Sequence, residues 1–353
     1  MSQGNAEHKE EMGICRDSAF GVVPGLLGVS SNGASFRGYI YGSPGDEGET
    51  RDSPYSLCAC LSRQSGRLFD PSASEPGFIN FGRYSLNLER REVRYSRKLP
   101  FQGYAQYTLK PEPGGFSMAY NSTYQRYSEL IITMHPVPDL LASIFTYYLL
   151  LEHNYLSLHC SAVSYQDNST AAIFALPNTG KTQTAYKLIT QYGARLVSED
   201  MAVYGAHQLF GCPFTRSGAY FLTGKTTPKR FWSKRAYADR LFDHLADESV
   251  CLSGPVAAPR TIYILRPGEE SRGRKLSSDE TFSMVYGLNS CEFEGIARRP
   301  LLDIAGLLGW PDLGVLDRKR HELTGSLISG CHDDLYELTA PDSESFAELT
   351  QRV

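Results

Sequence analysis

The sequence predicts an α/β fold in which a β-rich N-terminal layer precedes a phosphate-loop core. Three observations carry that expectation. An apolar run, residues 170–174, enters a turn-prone loop at residues 175–182, and helix-forming residues follow it. A second apolar segment, residues 194–204, carries an acidic pair, Glu199-Asp200, about twenty residues beyond the loop. Ahead of both, residues 54–134 show short alternating runs between turn formers, the period-2 pattern of half-buried strands.

In the N-terminal layer, Gly and Ser crowd the first fifty or so residues, and residues 42–51 read as an exposed loop. Alternating segments include residues 84–95, 104–109 and 116–120. Turns are expected at Ser74-Glu75-Pro76-Gly77 and at Glu112-Pro113-Gly114-Gly115, and together these features predict an antiparallel sheet. The 22 tyrosines and 17 phenylalanines suit it, because aromatic side chains pack well on a pleated surface.

The texture changes at His135-Pro136-Val137-Pro138, which sets the expected domain boundary. Residues 1–134 form a β-rich region suited to substrate recognition, and residues 135–353 a nucleotide-binding catalytic domain. Asp139 can cap a helix whose apolar positions, Leu140, Leu141, Ile144, Phe145, Tyr148 and Leu149, repeat at three and four residues. Residues 156–165 and 170–176 read as strands joined by a turn at Asp167-Asn168.

Composition narrows the function classes. Lysine plus arginine total 35 against 39 acidic residues, a net charge of −4. Nucleic-acid binding normally draws on a surplus of positive charge, so no nucleic-acid partner is expected. The longest apolar stretch, residues 140–151, falls short of the roughly 20 residues that cross a bilayer, and residues 1–16 lack the apolar run of a secretory signal. Eight cysteines are scattered without a C-x-x-C pair. Cys58 and Cys60 fit one face of a strand better than a zinc chelate. A cytoplasmic protein with reduced thiols is expected.

The loop carries the chemistry. A strand–loop–helix of this kind turns successive backbone N–H groups into one concavity, and the helix N-terminus adds partial positive charge. Ala175, Leu176, Pro177, Asn178, Thr179, Gly180, Lys181 and Thr182 are therefore the candidate phosphate-binding residues. Lys181 can reach the β- and γ-phosphates, and Thr182 can place its hydroxyl on Mg2+. The usual pattern, G-x-x-x-x-G-K-[ST], has glycine where Ala175 stands, and alanine fits there only at negative φ. Asn178 tolerates left-handed angles and can take a glycine's role. Of Glu199 and Asp200, one can hold Mg2+ and the other can accept the proton of an attacking hydroxyl; the assignment between them is open. The plain alternatives are a chance turn before an amphipathic helix and an exposed acidic turn. His159, on the preceding strand, reads by itself as a core histidine. Lys225, Lys229, Arg230, Lys234 and Arg235 form one basic stretch, and Arg90, Arg91, Arg94, Arg97 and Lys98 another. Both read first as solvated faces, although the former could close over nucleotide or dock an acidic substrate.

These residues together resemble HPr kinase-like proteins. Leu158-His159-Cys160-Ser161-Ala162-Val163 is similar to the L-H-x-x-A-V strand ahead of the phosphate loop in that family. Residues 175–182 are similar to the loop shared by HPr kinase/phosphorylase and phosphoenolpyruvate carboxykinase. Leu196-Val197-Ser198-Glu199-Asp200 looks like the L-x-S-D-D segment that follows. Order and spacing agree across about 45 residues. Weaker similarity extends through residues 211–216, 261–265 and 335–349. The resemblance implies a mixed-sheet P-loop core, ATP, Mg2+ and phosphorylation of a hydroxyl. It places His159 near the phosphates, matches Asp200 to the second acid of the pair and puts Glu199 where the family has aspartate. Arg216 could contact a phosphate.

The expectation is an ATP-dependent kinase with Glu199, Asp200, His159 and Lys181 as its catalytic residues. The metal would fall to Thr182, Glu199 and Asp200. Its acceptor would be a hydroxyl of a peptide, protein or small molecule, and a homo-oligomer is compatible with this reading. Two alternatives stand beside it: a ligase or cyclase that activates a carboxylate with ATP, and a non-catalytic nucleotide-binding scaffold.

Overall fold

The structure, a computed structural model, describes residues 19–23, 27–32, 57–73, 75–100, 102–112, 115–124, 126, 150–177, 179–199, 201–212, 252, 255–297, 312–331 and 334–353. Of these, residues 19–126 belong to one unit, and residues 150–297 and 312–353 to a second. The expected boundary at 134/135, the helix expected from Asp139 to Leu149 and the basic stretch from Lys225 to Arg235 lie outside the described residues.

The described residues of the first unit form eight strands: β1 (Ala19–Val23), β2 (Leu27–Asn32), β3 (Leu57–Gln64), β4 (Phe78–Phe81), β5 (Tyr84–Asn87), β6 (Glu92–Leu99), β7 (Gly103–Glu112) and β8 (Gly115–Asn121). They make one sheet in the order β1-β2-β3-β8-β7-β6-β5-β4. Residues 84–95, a single alternating run in the sequence, divide into β5 and β6 around a turn in which Arg91 takes φ 51°. Cross-strand pairing lines up Leu86, Val93, Leu109 and Met118 as one buried row. Beside it run Tyr84, Tyr95 and Tyr107, with the last two rings stacked at 5.0 Å. The sheet is not wholly antiparallel, since β3 runs parallel to both β2 and β8. Alternation records which side chains are buried but is blind to strand direction. The basic run of this region is not a uniform solvated face either. Arg94 lies 3.9 Å from the Phe78 ring centroid and bonds Glu92 at 2.7 Å and Glu75 at 2.8 Å.

The described residues of the second unit form two sheets. Its ten described strands are β9 (Leu156–Leu158), β10 (Ser161–Ser164), β11 (Thr170–Phe174), β12 (Arg195–Ser198), β13 (Met201–Gly205), β14 (Gln208–Cys212), β15 (Val256–Ala257), β16 (Thr261–Pro267), β17 (Arg272–Lys275) and β18 (Asp334–Ala340). Its described helices are α1 (Lys181–Tyr192), α2 (Ser278–Ala297), α3 (Leu313–Ser329) and α4 (Ser343–Thr350). The larger sheet has the order β12-β10-β11-β16-β18-β17 and the smaller β15-β14-β13-β9. In the larger, β11, β16 and β18 are parallel neighbours, whereas β10 and β17 run against their partners. The fold is therefore mixed α/β.

Both faces of the larger sheet's central strands are covered, which is why β11 and β16 read as near-continuous apolar runs. On one face Ile173, Leu196, Tyr263 and Leu338 pack with Ala185 and Leu188 of α1 and Phe346 and Leu349 of α4. On the other, Phe174, Ile262 and Ile264 meet Val285 of α2, Leu316 and Leu327 of α3, and Leu158, Ala202 and Leu209 of the smaller sheet. Two segments that read as single strands are each broken between the sheets. Residues 156–165 pass from β9 to β10 at His159-Cys160, and residues 194–204 pass from β12 to β13 beyond Ser198. The sheets approach tightly at the second crossing: a Cβ on Gly211 would lie 1.7 Å from the Val197 carbonyl oxygen. No described helix is long and apolar enough to cross a membrane.

Candidate functional site

Strand direction gathers the candidate residues on one edge of the larger sheet. The loop leaves the carboxyl end of β11. Strand β10 is antiparallel to β11, with Ser161 opposite Ile173, so His159 stands just before β10 at that same end. Strand β12 is antiparallel to β10, with Ser198 opposite Ala162, so Glu199 emerges there as well. The crevice outside the carboxyl ends of strands is where open α/β sheets bind ligands.

Within the loop, Gly180 takes φ +104°, a backbone conformation that L side chains rarely adopt. A Cβ there would make only an ordinary 3.7 Å contact with Ser343, so the requirement for glycine is conformational. Replacing Gly180 by alanine is expected to cost about 1–3 kcal/mol of stability from backbone strain, read from the urea midpoint at unchanged slope. Ala175 is buried and outside the left-handed region, so alanine is sterically acceptable there. Leu176 and Pro177 are exposed, and the Thr179 N–H donates to the Leu176 carbonyl at 3.3 Å. Asn178 lies outside the described residues.

Lys181, the first residue of α1, is buried, and its ammonium meets acceptors on His159 and on the loop. His159 Nε2 is 2.9 Å away and the Ala175 carbonyl oxygen 3.4 Å. An ammonium offers only donors, so the ring nitrogen facing it accepts. Thr182, the next residue, donates its hydroxyl to Glu199 Oε1 at 2.5 Å. Glu199 has no exposed surface, and its carbonyl accepts the Ser161 hydroxyl. The structure thus brings Lys181 to His159 and Thr182 to Glu199, and the reading of the acidic segment as an exposed turn does not hold for Glu199. Asp200 and Arg216 lie outside the described residues. Among the described residues no cluster of three or more His, Cys, Asp or Glu side chains could hold a metal by itself.

Two supports were not visible in the sequence. Asn289 on α2 accepts from the His159 N–H and donates to the Ser157 carbonyl, both at 2.8 Å, fastening the chain on each side of Leu158. Its partners are about 130 positions away, and an asparagine in a helix carries no local mark of such a role. Asn289→Ala is expected to lose about 1–3 kcal/mol, because it leaves a buried donor and acceptor unmatched; thermal unfolding measures it. The second support is α4, whose first turn braces α1. Glu344 pairs with Lys187 and accepts from Gln191 at 2.9 Å, and the Ser343 hydroxyl donates to Gln183 Oε1 at 3.1 Å. The Lys187 hydrogen bond, then that of Gln191, holds the Glu344 carboxyl below its ordinary range.

Compared with models of known protein families and with curated proteins, the chain matches none.

Proposed function

We propose that the chain is an ATP- and Mg2+-dependent phosphotransferase of HPr kinase-like architecture, acting on a hydroxyl acceptor in the cytoplasm. The observation that carries this reading is the pairing of adjacent residues at the start of α1. Lys181 meets His159 while Thr182 meets the buried carboxylate of Glu199, all on the edge where the loop opens. A chance turn before a helix has no reason to bring a histidine to its first residue and a buried carboxylate to its second.

The donor set fits both ligands. Mg2+ usually keeps several waters and takes only one or two protein oxygens beside substrate phosphates, a demand that the Thr182 hydroxyl and the Glu199 carboxylate meet. When bound, the ion would supply charge neutralisation at the phosphates. Lys181 and the amides leading into α1 would hold the polyphosphate, and phosphoryl transfer is catalysed chiefly by such positioning and electrostatic stabilisation. His159, already the acceptor for Lys181, would orient that ammonium. The carboxylates Glu199 and Asp200 supply the candidate base for the acceptor hydroxyl.

The test is incubation with γ-labelled ATP, Mg2+ and a pool of peptides, proteins and hydroxylated metabolites, analysed by mass spectrometry. A stable phosphoester is expected. A new amide or ring with released phosphate would replace this reading with a ligase or cyclase, and binding of ATP without any product would leave a scaffold.

A further inference from the structure

The carboxyl edge that holds the loop extends past it on the side away from Glu199. Strand β16 lies beside β11 in parallel register, with Ile264 opposite Phe174, about 4.8 Å away. Two residues further, where the loop has just left the sheet, β16 presents Arg266, opposite Thr339 of β18. Its side chain is 67% exposed and reaches Glu337 only at 3.7 Å. Glu337 is a buried carboxylate and has a second cation, Arg274, at 3.4 Å, which in turn bonds Glu280 at 2.7 Å. Arg266 projects on the face of the sheet covered by α2, as register places it with Ile264 and Glu337. That is also the side from which Asn289 of α2 grips the backbone at His159. Glu269 and Glu270, both exposed, stand in the turn beyond.

We propose that Arg266 is a polyphosphate-contacting arginine of this site, approaching the ligand from the side opposite Glu199. This role rests on the phosphotransferase reading and adds a residue that the sequence did not single out. Arg266 has a long contact to a carboxylate that keeps another partner, so turning toward an anion leaves Glu337 compensated by Arg274. A guanidinium binds phosphate oxygens through two parallel N–H donors, and a residue at the carboxyl end of a neighbouring parallel strand stands at the edge of the ligand crevice. Arg272, exposed on the outer strand β17, shares the face but stands two strands farther from the loop, paired with Thr339 from the other side.

The test is calorimetric binding of MgATP and of inorganic tripolyphosphate to the parent protein and to Arg266→Gln, Arg266→Lys, Arg272→Gln and Glu337→Gln. Arg266→Gln is expected to weaken both ligands at least tenfold and Arg266→Lys to recover part of the loss, with Arg272→Gln unchanged. Glu337→Gln removes the tether but keeps the cation and is expected to tighten binding. If the parent binds and Arg266→Gln binds equally well, this assignment fails while the phosphotransferase reading stands. It fails likewise if Glu337→Gln weakens binding as much as Arg266→Gln, because the cluster would then be only structural. A parent protein that binds neither ligand overturns both.

Discussion

Lys181→Ala is expected to weaken MgATP binding about 10- to 100-fold, the value of a charge-assisted hydrogen bond of about 1.5–3 kcal/mol. Turnover should fall further, about 100- to 1,000-fold, as when one preorganised donor is removed from an active site. The ammonium is buried against His159 Nε2 and the Ala175 carbonyl, so part of the loss would come from a site that is no longer preorganised. Lys181→Met, which keeps most of the side-chain volume, separates the charge from the packing. If methionine retains parental affinity and rate, the ammonium has no role in binding phosphate. Calorimetry gives the affinity and a γ-labelled ATP assay gives the rate.

Glu199→Gln should act on the metal rather than on the nucleotide. The side chain is fully buried and accepts the Thr182 hydroxyl, and glutamine preserves its shape while removing the charge. Mg2+ requirement is expected to shift upward about 10- to 100-fold, the scale on which altered ligand environments weaken metal sites. Metal-free ATP binding should change little. The measurement is a Mg2+ titration of activity and of ATP affinity, compared with Thr182→Val. Similar shifts in the two variants would place both oxygens on one ion. An unchanged Mg2+ midpoint in Glu199→Gln would remove this carboxylate from the metal site and leave Asp200 as the remaining candidate.

What the sequence disclosed about the site was what is contiguous in it. Gly180, Lys181 and Thr182 are neighbours whose candidate roles follow from one strand–loop–helix, and the helix begins at Lys181. The acidic segment was also legible, but only as a break in an apolar run. Its burial at Glu199 depends on two sheets meeting there, which no local pattern encodes. The pairing of His159 with Lys181 was not legible from the residues alone, since a histidine on a strand has no local sign of its partner. Asn289 and Arg266 went unnoticed for the same reason: a helix and a parallel strand distant in sequence deliver them. In the first unit, alternation marked β7 and β8 and the turn between them, where Glu112 pairs with Gly115. It could not show that β3 inserts parallel to β8, because strand direction is decided by the path of the chain.

The contact at Gly211 has a further bearing. The hydrogen on its α-carbon occupies the gap between β14 and the strand whose next residues carry the acidic pair, and even a methyl group would drive Val197 aside. A residue with no reactive group therefore fixes the path of the strand that leads into Glu199. Attempts to graft this loop onto another scaffold would have to carry that glycine along, or the carboxylate would arrive displaced however faithfully the loop itself was copied.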